Sequence, residues 1–212
     1  MYQTDPPHPV DDIKSEDSQE SGLPDEFHII QPQLLRETFN PPSYPINQIF
    51  TGHNLNLYYD PRHPQWYKRP DWFAAVDTAS FYINNELSLS YVVWLEGVSP
   101  FVVIELLSPG TEKEDLGETL PSTEQPPAKW QVYERILRVP YYIVYDYYTD
   151  ILRAFILQAD RYTELNLEET RIWMPTLELG LGLWQGTYQG IDRLWLRWYD
   201  ACGNWTELGS RE

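Results

Sequence analysis

Residues 101–107, Phe-Val-Val-Ile-Glu-Leu-Leu, form a run that is apolar at every position except Glu105. A run of this length without polar alternation is the pattern of a central strand covered on both faces, not of an edge strand with one wet side. It commits the chain to a layered fold with elements packed above and below a sheet. It also poses a charge problem. Left buried, ionised and unpaired, Glu105 would cost several kcal/mol, so it must be protonated, paired or bound to a metal.

Other runs of strand character surround it. Leu55–Tyr59 alternates and closes on Asp60-Pro61, and Trp72–Val76 and Tyr91–Leu95 have strand length. Tyr141–Tyr145 and Ile151–Leu157 follow, joined by the polar stretch 146–150, and then Trp195–Tyr199, which turns through Gly203-Asn204 toward Trp205. Helical spacing is expected at Leu34, Leu35 and Phe39, and again at Ile46, Ile49 and Phe50 beyond the break at Pro41-Pro42. A further helix is expected from about Ala128 to Arg138, with Pro126 and Pro127 suiting its first turn. On it Val132 and Ile136 share one face, and Lys129 and Tyr133 an adjoining one. The sequence has no internal repeat, and the order helices, strands, one helix, strands places the chain in the mixed α/β class.

Charge divides the 212 residues further. The formal net charge is -17, but residues 1–26 hold eight acids against Lys14, and residues 112–124 hold five against Lys113. Residues 1–26 are therefore expected to be a disordered acidic arm and 27–212 a single domain whose body is only mildly acidic. No dense basic run is present, so long-range attraction of DNA by this chain alone is poor. Cys202 is the only cysteine, which excludes an intramolecular disulfide and a cysteine-based zinc site and fits a reducing cytoplasm. The N-terminus lacks the basic and apolar halves of a signal peptide, and no apolar run approaches the ~18 residues needed to span a bilayer. A cytoplasmic protein without membrane contact is the expectation.

Asp71 is the second acid that needs a reason. It sits at the edge of the Trp72–Val76 run, immediately after Pro70, at a position that could neighbour Glu105 in a sheet. Two converging carboxylates repel unless a cation intervenes, and Mg²⁺ (or Mn²⁺) takes oxygen ligands from one or two carboxylates plus water and phosphate. Lys129 would complete such a centre by holding a water against phosphorus and offsetting transition-state charge. The simpler alternatives are a buried Glu105 satisfied by an arginine or backbone donors, and a solvated helix-end Lys129. His8, His28, His53 and His63 show no metal-ligand spacing and lie in loop-like contexts, and Arg69 beside Pro70 could contact phosphate but reads more simply as a surface arginine.

The runs Pro70-Asp71, Pro100 to Thr111 around Glu105, Asp115, Lys129-Trp130-Gln131-Val132-Tyr133, and Val139 to Asp146 resemble the Uma2 family. That family is abundant in cyanobacteria and belongs to the PD-(D/E)XK restriction-endonuclease-like superfamily. The resemblance is close over residues 55–158 and looser in the flanks. It implies a restriction-endonuclease-like core: a mixed central sheet flanked by helices, with the site where two strands diverge. Asp71 would match the PD acid and Glu105 the (D/E), both ligating the metal with the backbone carbonyl of Leu106. The superfamily lysine would fall on Leu107, which cannot serve, whereas family members tend to carry a lysine on the following helix, where Lys129 stands. Asp115 lies nearer that lysine in the family, and here segment 116–127 separates them. Ser108 and Pro109 read as the residues that end the strand.

The function these residues imply is Mg²⁺-dependent endonuclease cleavage of DNA, with Asp71, Glu105 and Lys129 as the catalytic set. The alternative is a non-catalytic binding or assembly module that retains the nuclease fold, which the acidic body favours. Abundant Trp and Tyr with paired acids also suit glycoside chemistry. Core packing, however, accounts more simply for Tyr141, Tyr145, Trp195 and Trp198, which fall in strand-like runs. The aromatic-rich segment 173–205 is expected to cover a sheet face or to form a homodimer surface.

Overall fold

The computed structural model describes residues 26–78, 90–107, 115–117 and 126–209. The expectations placed on residues 1–25, on the Ser108-Pro109 strand exit and on the acidic stretch 118–125 lie outside the described residues. In chain order the elements are helix α1 (Glu26–Thr38) and strands β1 (Ile49–Gly52), β2 (Asn56–Tyr58), β3 (Tyr67–Lys68), β4 (Trp72–Val76) and β5 (Ser90–Val92). A short helix α2 (Val93–Glu96) and strand β6 (Val102–Leu106) come next. Helix α3 begins at Lys129–Gln131 and continues as a π-helical turn over Val132–Ile136. Six strands complete the chain: β7 (Tyr141–Asp146), β8 (Ile151–Gln158), β9 (Arg161–Glu164), β10 (Arg171–Met174), β11 (Leu179–Tyr188) and β12 (Ile191–Tyr199).

The apolar run does what its pattern requires: β6 is buried at all five positions, inside a six-stranded sheet of order β1-β4-β6-β7-β8-β9. Within that sheet β6 and β7 are parallel neighbours, Val102 opposite Tyr141 through Leu106 opposite Tyr145, and the other pairs are antiparallel. Parallel neighbours cannot be joined by a tight turn and need a crossover, and α3 lies within it. Alternation along the strands then sorts side chains to two faces. Trp72, Ala74, Val102, Ile104, Leu106, Ile143 and Tyr145 pack with α1 and the β10-β11-β12 sheet. Phe73, Ala75, Val103, Leu107, Tyr142 and Val144 pack with α3 and with residues of β2 and β5. The mixed α/β, restriction-endonuclease-like architecture is thus present.

On the first face α1 buries Phe27, Ile30, Leu34 and Leu35, a stripe at helical spacing. Its buried Gln31 acts as a backbone mimic: Nε2 donates to the Leu196 carbonyl at 2.9 Å, and Oε1 accepts from the Leu196 N–H at 2.9 Å. The aromatic content finds its use here. Phe39, Trp72 and Trp198 form a cluster with ring centroids 4.9–5.7 Å apart, joining α1, β4 and β12. Trp195 and Trp198 are 1% and 0% exposed, so the C-terminal aromatic segment covers a sheet face.

Four local expectations change. Ile46–Gln48 makes a single 3-10 turn and Ile49 already begins β1, because pairing with β4 outweighs a helix between prolines. The Tyr91–Leu95 run is a strand only to Val92, after which the chain coils into α2 and stops at Gly97, whose φ of 72° closes the helix. Helix α1 begins at Glu26, seven residues before the apolar pattern becomes dense, and runs through Pro32. Strands β9, β10 and β11 had no clear signal: β9 is mostly exposed, and β11 is interrupted by glycines such as Gly180, where any side chain would collide with the Tyr199 ring across the ladder. Among the described residues no helix is long and apolar enough to cross a membrane.

Candidate active site

The register of β4 against β6 places the chemistry. Trp72 pairs with Ile104 in antiparallel fashion, so the next residue outward on each strand brings Asp71 opposite Glu105, where the ladder ends. Two hydrogen bonds tie the pair. The Asp71 N–H donates to Glu105 Oε2 at 3.4 Å, and the Leu106 N–H donates to Asp71 Oδ2 at 2.7 Å. Since Glu105 shares the parity of Val103 and Leu107, it projects to the face that carries α3.

Helix α3 supplies the rest. Lys129 Nζ donates to Glu105 Oε2 at 3.2 Å and lies 3.1 Å from Asp115 Oδ1. One turn on, the Tyr133 hydroxyl donates to Glu105 Oε1 at 2.9 Å. Both partners therefore come from the single face on which spacing had placed them. The turn that follows is π-helical, closed by Leu137 N–H donating to the Val132 carbonyl at 2.9 Å, a local irregularity that recurs at functional sites. The side chains of Glu105 and Asp115 are 1% and 2% exposed and that of Lys129 is 19% exposed, while Asp71 is half-buried, so solvent reaches the cluster at Lys129 and Asp71.

Burial governs the titration of the set. It raises the Glu105 carboxyl well above the usual carboxylate range, with Asp115 and Asp71 adding to the rise and Lys129 opposing it. Burial likewise raises Asp71, against the pull of Lys129, the Leu106 N–H and His28. For Lys129 burial acts downward, but Glu105, Asp115 and Asp71 outweigh it and hold the ammonium well above its ordinary value. Lys129 is therefore a fixed cation, and Glu105 and Asp71 are the groups that gain or lose protons.

The sequence reading placed Asp71, Glu105, Leu106 and Lys129 in one site, and the structure brings all four together. Asp115 joins them through Lys129 despite the intervening segment. Leu107 is buried in the apolar cluster beneath α3. Two residues were missed. Tyr133 was visible only as a helix-face neighbour of Lys129. His28 was read as a loop residue, yet it is buried on α1, and its Nε2–H donates to the Leu106 carbonyl at 3.1 Å. No spacing within the sequence connects His28 to a residue 78 positions away, so only the docking of α1 reveals it.

Two carboxylates and a backbone carbonyl form a hard oxygen donor set, which suits Mg²⁺ or Mn²⁺. Among the described residues no three His, Cys, Asp or Glu side chains cluster at metal-ligand spacing, so the carbonyl is the third donor available. The residues fit such an ion on charge as well. Three acids surround one lysine in a site that raises carboxyl pKa, an imbalance that either protons or a divalent cation would relieve.

A mixed sheet whose two adjacent strands present facing acids, with a lysine above them, is the architecture of restriction-endonuclease-like proteins. The family model Uma2, described as "Putative restriction endonuclease", matches residues 20–189, and the chain belongs to that family. The match extends beyond the site to include α1 with His28. No curated protein matches the chain.

Proposed function

We propose that the protein is a metal-dependent endonuclease that hydrolyses DNA phosphodiester bonds. The observation that carries this reading is Lys129 Nζ seated on Glu105 Oε2, with Asp71 held against the same carboxylate by the strand register. Asp71, Glu105 and the Leu106 carbonyl would hold Mg²⁺ or Mn²⁺. The ion's contribution when bound is a water of lowered pKa and a Lewis acid for the phosphoryl oxygen.

The chain's own residues orient the reaction. An ammonium has three N–H donors; Lys129 donates one to Glu105 and lies 3.1 Å from Asp115 Oδ1. A remaining N–H, without a further partner among the described residues, positions the attacking water and then stabilises negative charge on the phosphorane-like transition state. The water gives up a proton to solvent as its oxygen forms the new bond to phosphorus, the bond to the leaving oxygen breaks, and solvent returns a proton to that oxygen. Tyr133 restrains the carboxylate of Glu105 throughout, and His28 restrains the strand end at Leu106.

The test is cleavage of plasmid DNA with Mg²⁺ or Mn²⁺ by the wild type, Asp71→Ala and Glu105→Ala. Metal-dependent nicking by the wild type alone supports the proposal, and equal cutting by both variants overturns it. The second reading, a non-catalytic module, draws on the net charge of -17, which opposes DNA binding. Calorimetry separates the two: a folded wild type that takes up no Mn²⁺ at millimolar concentration favours the module.

A further inference from the structure

We propose that the outer face of the β2–β3 hairpin is a docking platform for single-stranded nucleic acid, which leads a strand to Asp71; the inference rests on the nuclease reading. Residues 61–70 hold no acid, and of their three basic residues Arg62 is paired with Asp60 and Lys68 lies opposite the buried Leu57, so Arg69 is the cation of the outer face. They are the ten residues that immediately precede Asp71.

The hairpin register sorts its side chains. Leu57 pairs with Lys68 and is fully buried, while Tyr58 pairs with Tyr67, so Tyr58 and Tyr67 belong to the opposite, outward face. One step further, Asn56 and Arg69 face each other on that same side, and Arg69 Nε donates to Asn56 Oδ1 at 2.9 Å. The guanidinium carbon stands 5.8 Å from the centre of the Tyr67 ring, and the Tyr58 and Tyr67 rings lie 5.5 Å apart. Tyr67 is 38% exposed and Arg69 is exposed. An aromatic plane is thus set beside a cation whose orientation is fixed across the hairpin, and among the described residues its other N–H donors are left for a phosphate.

This pairing favours an unpaired strand. In a duplex the base faces are stacked inside and cannot meet Tyr67, whereas a single strand offers bases to aromatic rings and phosphates to arginine at once. The exposed Arg69 guanidinium beside an open ring selects a ligand that offers a phosphate and a base plane together over an apolar protein surface. Position completes the case. Only Pro70 separates Arg69 from Asp71, so the two Cα atoms are at most ~7 Å apart. A strand held on the hairpin therefore passes the carboxylates.

The experiment is fluorescence anisotropy of a labelled oligothymidine at low salt with EDTA present, so that no cleavage occurs. Wild type, Tyr67→Leu and Arg69→Gln are compared, with unchanged melting temperatures certifying the folds of these surface variants. The expected result is binding by the wild type, weaker binding of the matching duplex, and a loss of about tenfold or more in each variant. Arg69→Gln should also reduce the slope of log affinity against log salt by about 0.7, the value of one single-strand phosphate contact. Equal affinity in wild type and variants, a preference for duplex, or no binding of any oligonucleotide overturns the platform. So does wild-type self-association that Tyr67→Leu abolishes, which would make the face a protein interface. The arms also separate this inference from the nuclease reading. Binding lost in the variants without cleavage by any form upholds the platform and overturns the nuclease, whereas cleavage with unaltered binding in the variants overturns the platform alone.

Discussion

Asp71 and Glu105 stand opposite each other at the end of the β4–β6 ladder, and the backbone N–H of Asp71 donates to Glu105 Oε2 at 3.4 Å. The strand register that makes the sheet therefore also fixes the spacing of the two acids. Held in this place, both carboxyls have raised pKa values, chiefly through burial, and for Glu105 the neighbouring Asp115 and Asp71 add to the rise.

Glu105→Gln should stabilise the metal-free protein near neutrality while abolishing cleavage, because it removes one of three acids that face a single lysine, and each unit by which the Glu105 pKa is lifted costs the ionised form about 1.4 kcal/mol. The sign with pH follows from the raised folded-state pKa of Glu105. Its protonated form gives stability that is fully present below the unfolded value of about 4.3 and lost as pH rises through the folded value. The melting-temperature advantage of the variant should therefore grow with rising pH. An advantage that shrinks would refute the assignment.

Lys129→Met leaves Glu105, Asp115 and Asp71 without their cation and should cost about 3–5 kcal/mol near neutrality. As pH falls Glu105 and Asp71, whose pKa values burial raises, take protons and no longer need it, so the deficit against wild type should narrow. Urea denaturation at several pH values measures this directly.

Tyr133→Phe removes the hydroxyl that donates to Glu105 Oε1 and should destabilise by about 1–3 kcal/mol. The hydroxyl lowers the carboxyl pKa, so its loss raises Glu105 further. Cleavage, if it requires the ionised acid, should then shift its pH dependence to higher pH and recover there. A profile unmoved in position but uniformly lower would assign Tyr133 a packing role only.

His28→Ala frees the Leu106 carbonyl from its donor. By analogy with other groups that orient metal ligands, Mn²⁺ affinity should fall about 10–100-fold, read by calorimetry. Oligonucleotide binding in EDTA should be unchanged, which distinguishes lost metal support from general loosening.

The sequence makes the centre of the fold legible because burial on both faces leaves a strong mark. The β4, β6, β7 and β8 runs could be placed within a residue or two, and an acid inside such a run announces a site. Lys129 and Tyr133 were placeable because helical spacing is local. What escaped was information carried by packing alone. Strand β9 is mostly exposed and shows no apolar alternation, β11 trades side chains for glycines so that rings from β12 can lie over them, and His28 owes its role to the docking of a helix. Arg69 looked like an ordinary surface residue until the hairpin set it across from Asn56 and beside Tyr67.

The paired hydrogen bonds between Gln31 and Leu196 join positions 165 residues apart in the chain. At ribosomal speeds of roughly 5–20 residues per second, α1 emerges on the order of ten seconds before the strand it will grip. Because α1 carries His28, a nascent chain can assemble Asp71, Glu105 and Lys129 long before Leu106 gains its support. Completion of this centre is thereby timed to the synthesis of β12.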